Sequence, residues 1–289
     1  MSSRHPTGLA GHLAALERTL VMGVVNVTPD SFSDGGAYLP PDAAIEHGLL
    51  LHGEGADIVD VGGESTRPGA ARVDADEDLR RVLPVVRGLV SAGVVVSIDT
   101  MHSTVADAAL GAGAALVNDV SGGLADPDMA RVMAGSGTPY VVMHWRGHSA
   151  DMASCAVYDH VVADVVGELR TRVDALVAAG VGHDRLVLDP GLGFAKDSVH
   201  SWSLLQNLDA LAGLGRPLLV GASRKGFLGA LLTGPDGIAR PAEQRDVATA
   251  ALSALLAADD VWGLRVHAVR PTVDALRVAD AMRSARLDG

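Results

Sequence analysis

Asp99, Asn118 and Asp189 each close a short apolar run: Val94 to Ile98, Ala115 to Val117 and Leu186 to Leu188. Carboxylates on a partly desolvated pocket floor are costly unless they accept hydrogen bonds, so this trio suits a flat heterocycle that presents N–H donors. The two oxygens of Asp189 can take paired N–H groups from an aminopyrimidinone edge, each bond contributing about 1.5–3 kcal/mol when well aligned. Basic groups close two more runs, with Ser223-Arg224-Lys225 after Leu218 to Val220 and Arg265-Val266-His267 after Trp262 to Leu264. Those positions suit an anion such as a leaving pyrophosphate, although His267 fits a backbone carbonyl equally well. Asn26 closes Val21 to Val25, and its amide oxygen can ligate a hard ion such as Mg2+. His144 closes Tyr140 to Met143 and reads either as a pocket residue or as a satisfied structural histidine. Taken singly, Asp99, Asn118 and Asp189 can each equally orient a loop or cap a helix, and their occurring together favours a site, as the strand-end position does for Lys225 and Arg265. Arg240 and Arg245, away from any strand end, read as solvated surface.

Eight apolar runs need eight strands to carry them, the remaining one being Ile58 to Val61 before Gly62-Gly63-Glu64. Between them the spacing predicts helices over Ala43 to Leu51, Asp76 to Val90, Thr104 to Leu110, Met129 to Met133, Tyr158 to Ala179, Ser203 to Leu211, Ala248 to Ala257 and Thr272 to Met282. Pro84 interrupts the second, and Gly53, Gly55, Gly93, Gly113, Gly180 and Gly182 fall where left-handed helix caps are expected. Alternating strands and helices give crossover units and a parallel sheet. At 289 residues this predicts an α/β fold, a single-domain (β/α)8 TIM barrel over residues 21–284, with an N-terminal extension (1–20) and a C-terminal tail (285–289). The strand tips then converge on one face. The glycine-rich loops Thr28 to Leu39 and Gly62 to Ala71 are placed to act as lids over it, and Thr233 to Gln244 reads as an insertion between two helical halves.

Hydrophobic residues make up 48% and aromatics 3%, so the core must be built from Val, Leu and Ala. A net charge of -12 and a pI near 5.2 argue against nucleic acid or an anionic membrane surface as a partner. The lone Cys155 excludes an intramolecular disulfide, and with no secretory leader or membrane span legible the expected location is cytoplasmic. No HExxH, CxxC or EF-hand pattern is present, and Gly221 to Lys225 lacks the spacing of a P-loop.

Longer stretches carry a resemblance. Asn26-Val27-Thr28-Pro29-Asp30-Ser31-Phe32-Ser33-Asp34-Gly35-Gly36 and Asp60-Val61-Gly62-Gly63-Glu64-Ser65-Thr66-Arg67-Pro68-Gly69 resemble the two signatures of the dihydropteroate synthase family of pterin-binding proteins. Ser97 to Thr100, Asn118 to Gly123, Leu188 to Phe194, Gly221 to Lys225 and Arg265 to His267 continue the likeness in one register. The resemblance implies joining of 6-hydroxymethyl-7,8-dihydropterin pyrophosphate to 4-aminobenzoate, with Mg2+ as cofactor and a homodimeric assembly. It assigns pterin binding to Asp99, Asn118, Met143, Asp189, Lys225 and Arg265, and pyrophosphate binding to Asn26, Arg67, Arg265 and His267, with Asn26 also at the metal. Aminobenzoate binding falls to Phe32, Thr66, Pro68, Lys225 and Gly226, and catalysis to Asp34, Lys225 and Arg265. Two positions depart from the family's pattern: Gly226 stands where many relatives carry Ser, and Ala268 where Asp is common. The alternatives are a methyltetrahydrofolate-binding methyltransferase, a catalytically silent pterin-binding paralogue and a generic phosphate-binding barrel.

Overall fold

The structure, a computed structural model, describes residues 4–28, 41–65, 72–148, 154–259 and 261–287. These form eight parallel strands: β1 (Leu20–Asn26), β2 (Ile58–Gly62), β3 (Val96–Asp99), β4 (Leu116–Asp119), β5 (Tyr140–Met143), β6 (Leu186–Asp189), β7 (Leu219–Val220) and β8 (Gly263–Val266). The helices are α1 (Gly11–Ala14), α2 (Pro41–Gly53), α3 (Ala75–Ser91), α4 (Ser103–Gly111), α5 (Met129–Ser136), α6 (Val161–Ala178), α7 (Ser198–Gln206), α8 (Leu208–Ala212), α9 (Gly226–Leu231), α10 (Asp246–Ala258) and α11 (Val269–Leu287). The sheet runs β6-β5-β4-β3-β2-β1-β8-β7, and a bridge from Leu188 to Leu218 closes it into the expected (β/α)8 barrel.

The two-residue period of a strand decides which side chains enter the barrel. Val59, Val61, Ile98, Val117, Tyr140, Val142, Leu186 and Leu188 face outward and pack under the helices. Met22, Ile58, Leu116, Val141, Val187 and Leu219 face inward and fill the barrel's lower interior, where Leu9, Leu13 and Trp262 cover the bottom. The Trp262 indole N–H donates to His5 Nδ1 at 3.1 Å, so the indole is buried with its polar atom satisfied. The strand tips lie two residues beyond Leu116, Val141 and Val187, at Asn118, Met143 and Asp189, and four beyond Met22 and Ile58, at Asn26 and Gly62. Register places them level, with Asn26 beside Gly62, Gly62 beside Asp99, Asp99 beside Asn118, and Met143 beside Asp189. Along all eight strands only Asn26 and Arg265 are less than fully buried, so both open toward the upper face.

Several predicted elements shift. Asp197 accepts from His200 N in a capping box and starts α7 before the predicted Ser203, while Asn207 (φ -126, ψ 41) breaks the chain into α7 and α8. α9 is absent from the sequence reading because Gly226 and Gly229 argue against a helix there. Gly229 leaves room for the Arg245 guanidinium, from which a Cβ would lie 2.5 Å and which it would displace. Pro84 stays inside α3 on its exposed side, where the carbonyl it frees can meet solvent. Gly55, Gly93, Gly113 and Gly180 take positive φ as caps, whereas Gly53 ends within α2 and Gly182 precedes a 3-10 turn at φ -59.

Candidate active site

Arg265 is the hub of the upper interior. Its Nε donates to Asp60 Oδ2 and its Nη2 to Asp99 Oδ2, each at 2.7 Å. Asn118 Nδ2 donates to the same Asp60 oxygen at 3.0 Å. Asp60 is fully buried, and its other oxygen has no hydrogen-bond partner among the described residues, so its charge depends on Arg265 and Asn118 for compensation. Burial pushes the Asp99 carboxyl up from its ordinary value, with Arg265 pulling against it and Asp60 adding to it. Asp60 joins the site although it closes no apolar run. It lies mid-strand, and its signal was the charged residue inside an otherwise apolar run whose alternation points it inward above Ile58.

The opposite side of the floor is built by β6 and the turn that follows it. Asp189 Oδ1 accepts from Gly191 N at 2.7 Å, and among the described residues no other hydrogen bond to its carboxylate is seen. Burial raises Asp189, while the Gly191 N–H, Lys225, Arg265 and Lys196 hold it down. The Lys225 ammonium sits 4.0 Å from the centre of the Phe194 ring, a cation–π contact, and burial lowers it to about 8 against the pull of Asp189. Gly191 has φ 67, and a Cβ there would lie 2.4 Å from His144 O. Gly191→Ala is therefore expected to destabilise the protein by about 1–3 kcal/mol through backbone strain alone, and more through the clash, read as a lowered Tm by calorimetry.

Met143 clusters with Met101 and Val120, and Phe194 and Trp145 pack against them, giving the floor an apolar wall beside its polar one. Flat rings bind in such half-apolar, half-polar clefts. On the β7 and β8 side, Ser223 Oγ lies 3.0 Å from His267 Nδ1 and accepts from His267 N at 3.2 Å. A serine hydroxyl that accepts from the backbone N–H is free to donate its own hydrogen to Nδ1, and the tautomer that suits this pairing carries its proton on Nε2. Burial and the neighbouring Arg265 lower His267 to about 3, so it meets an anion as a neutral N–H donor. Its partner is thus a hydroxyl, not the backbone carbonyl considered from sequence.

The intervening Arg224 adopts φ 58, held by two bonds to Asp246 at 2.6 and 2.7 Å and by Thr249 Oγ1 on its N–H. Arg245 donates to the Arg224 and Arg240 carbonyls, both at 2.7 Å. This corrects the surface assignment of Arg245: it pins the turn that presents Ser223 and Lys225. Gly226 opens α9 with open space around its Cα. Phe32, Asp34, Thr66, Arg67 and Pro68 lie outside the described residues.

Asn26 stands at the end of β1, level with Gly62 and partly open. Among the described residues no group of three His, Cys, Asp or Glu side chains could hold a metal. A single amide oxygen fits Mg2+ only in the manner of that ion with phosphate substrates, where one or two protein oxygens join phosphate and water ligands. The donor set at this tip is compatible with that arrangement.

The sequence profile described as "Pterin binding enzyme" matches residues 22–267. The chain belongs to the pterin-binding enzyme family. Among these pterin-binding enzymes, the dihydropteroate synthase of Mycobacterium leprae is 56% identical over 262 residues, covering 90% of this chain and 92% of that protein. The Xanthomonas albilineans dihydropteroate synthase solved with 4-aminobenzoic acid superposes with a TM-score of 0.86 at 43% identity, covering 98% of this chain and 99% of that one. The same enzyme solved with 7,8-dihydropteroate gives a TM-score of 0.83 at 41% identity over 96% and 98% of the two chains. Both likenesses extend over whole chains, as the sequence resemblance implies for a dihydropteroate synthase of folate biosynthesis.

Proposed function

We propose that this chain is a transferase that condenses 6-hydroxymethyl-7,8-dihydropterin pyrophosphate with 4-aminobenzoate, giving 7,8-dihydropteroate and pyrophosphate. The observation that carries the reading is the upper floor itself. Asp99, Asn118 and Asp189 face one interior beside Met143, with Arg265 and Lys225 among them. The aminopyrimidinone edge of the pterin is assigned to Asp189 and Asn118, the ring to the cleft between Arg265 and Met143, and its carbonyl side to Lys225.

The C–O bond to pyrophosphate breaks with its electron pair on the leaving oxygen, and the electron-rich dihydropterin spreads the positive charge left on the methylene carbon. The arylamine lone pair then forms the C–N bond, and the nitrogen loses a proton. An arylamine is already neutral at pH 7, so no strong base is needed. Arg265 and neutral His267 are assigned to hold the departing anion, with Arg67 in the same role. Mg2+ bound at Asn26 together with the pyrophosphate would neutralise part of that anion's charge. Asp34 is assigned to the methylene cation. Phe32, Thr66 and Pro68, with the backbone N–H of Gly226, are assigned to aminobenzoate. The enzyme is further proposed to be a cytoplasmic homodimer, with small molecules as its substrates; no helix among the described residues is long and apolar enough to cross a membrane.

The Lys225 value near 8 fixes a pH limb. The charged form donates to the pterin and predominates below about pH 8; above it the proton is lost and binding weakens. The kcat/KM for the pterin substrate is expected to fall about tenfold per pH unit above that point, and Lys225→Arg should remove the limb. A flat profile to about pH 10 in the wild-type enzyme would take Lys225 out of this role. The reading as a whole is tested by pyrophosphate release from the pterin substrate with and without 4-aminobenzoate, in the presence of Mg2+. Aminobenzoate-dependent release is expected. Pterin binding without turnover would favour the silent paralogue, and turnover that needs a methyl donor would favour the methyltransferase.

A further inference from the structure

Behind the floor lies a second polar chain that the reaction scheme leaves unused. Lys196 is buried, and its Nζ donates to His144 Nδ1 at 2.8 Å and to the Phe194 carbonyl at 3.1 Å. An ammonium can only donate, so Nδ1 accepts and the imidazole proton resides on Nε2, which donates to Glu168 Oε2 at 2.9 Å. Burial lowers His144 to about 4, in keeping with a neutral ring. His144 is itself fixed to β6, because its backbone N–H donates to Asp189 O at 2.9 Å. This settles His144 as a structural histidine with a specific task.

The turn that Lys196 braces is strained. Ala195 adopts φ 46, a left-handed conformation that non-glycine residues avoid, and Gly191 and Gly193 precede it at φ 67 and 72. Such a turn persists only when its surroundings over-determine it. Its residues contact the floor at two points: the Gly191 N–H lies on Asp189, and the Phe194 ring lies against the Lys225 ammonium.

We propose that Lys196 is a positioning residue of the pterin site, holding the 191–196 turn against His144 so that Gly191 orients Asp189 and Phe194 seats Lys225. The proposal rests on the pterin reading given above. Both bonds are donations, available to an ammonium and to a neutral amine alike, so the brace persists whichever form Lys196 takes. The charged and titratable groups that surround it are His144 and Arg146 beyond β5, Glu168 on α6, Asp189 on β6 and Lys225 beyond β7, with the Tyr158 ring 5.9 Å away.

The test compares wild-type enzyme with Lys196→Met, which keeps the apolar stem and removes both donors. Calorimetric Kd for 6-hydroxymethyl-7,8-dihydropterin pyrophosphate is measured alongside the KM for 4-aminobenzoate and the Tm. The expected result is a pterin Kd raised about tenfold or more, with the aminobenzoate KM changed less than about twofold. A purely structural lysine would lower Tm and the fraction of active protein while leaving the Kd of the folded remainder unchanged, and that result overturns the proposal. If Lys196→Met does not fold, Lys196→Gln keeps an amide NH2 on a side chain one bond shorter, which cannot span both His144 Nδ1 and the Phe194 carbonyl. A raised Kd in Lys196→Gln supports the brace, and a wild-type Kd overturns it. Wild-type protein that binds no pterin would instead sink the functional reading, so the two failures remain distinct.

Discussion

Arg265→Met is expected to lower kcat/KM by about 10²–10³-fold and to destabilise the fold by about 3–5 kcal/mol. Both effects come from one geometry. The guanidinium fork bridges Asp60 and Asp99 at 2.7 Å each, and neither carboxylate has another cation at that distance in the described structure. Methionine fills similar space but leaves two buried carboxylates facing one another. They must then take up a proton or draw in water, and either change alters the floor on which the pterin rests. Arg265→Lys keeps the charge but cannot reach both partners in the planar, two-pronged arrangement, so it should recover part of the stability and little of the activity. Urea unfolding with parallel kinetics measures both quantities, and a methionine variant as stable as the parent would show that the bridge is not what compensates Asp60.

Asp189→Asn separates recognition from folding. Its bond from Gly191 N to Oδ1 can be kept by an amide oxygen, so Tm should change little. The ligand contact cannot be kept. Where a carboxylate accepts two N–H groups, an amide offers one acceptor and places an NH2 against the second donor. The pterin Kd is expected to rise on the order of 10²-fold or more by calorimetry, corresponding to the loss of one or two charge-assisted bonds. Unchanged affinity would remove Asp189 from the edge-recognition role.

The strands were legible because a parallel barrel buries both strand faces, which writes them as continuous apolar runs with polar tips. Every one of the eight predicted runs overlaps an observed strand, and the tip residues Asn26, Asp99, Asn118, Asp189 and Arg265 sit where those runs end. What joins them was not legible. The Arg265 to Asp99 bond spans 166 residues and the bond to Asp60 spans 205, and no local pattern indicates which tips will meet. Asp60 is hidden in the sequence because it stands within its run, two residues before the tip. Lys196 is hidden because it follows the Leu188 to Phe194 motif and its partner His144 comes from another strand. α9 opens on one glycine and holds another at its centre, so propensity opposed the helix that packing imposes. Arg245 read as surface for a similar reason, since its acceptors are backbone carbonyls that a sequence does not display.

The central claim is that these scattered strand tips make one pterin floor, and a crystal structure of the enzyme with 6-hydroxymethyl-7,8-dihydropterin tests it most directly. The expected result places the aminopyrimidinone edge within hydrogen-bond distance of both Asp189 oxygens and of Asn118, with the ring between Arg265 and Met143 and the Lys225 ammonium on its carbonyl side. A pterin bound away from Asp189, or an upper floor left empty at a concentration that saturates binding in solution, would contradict it.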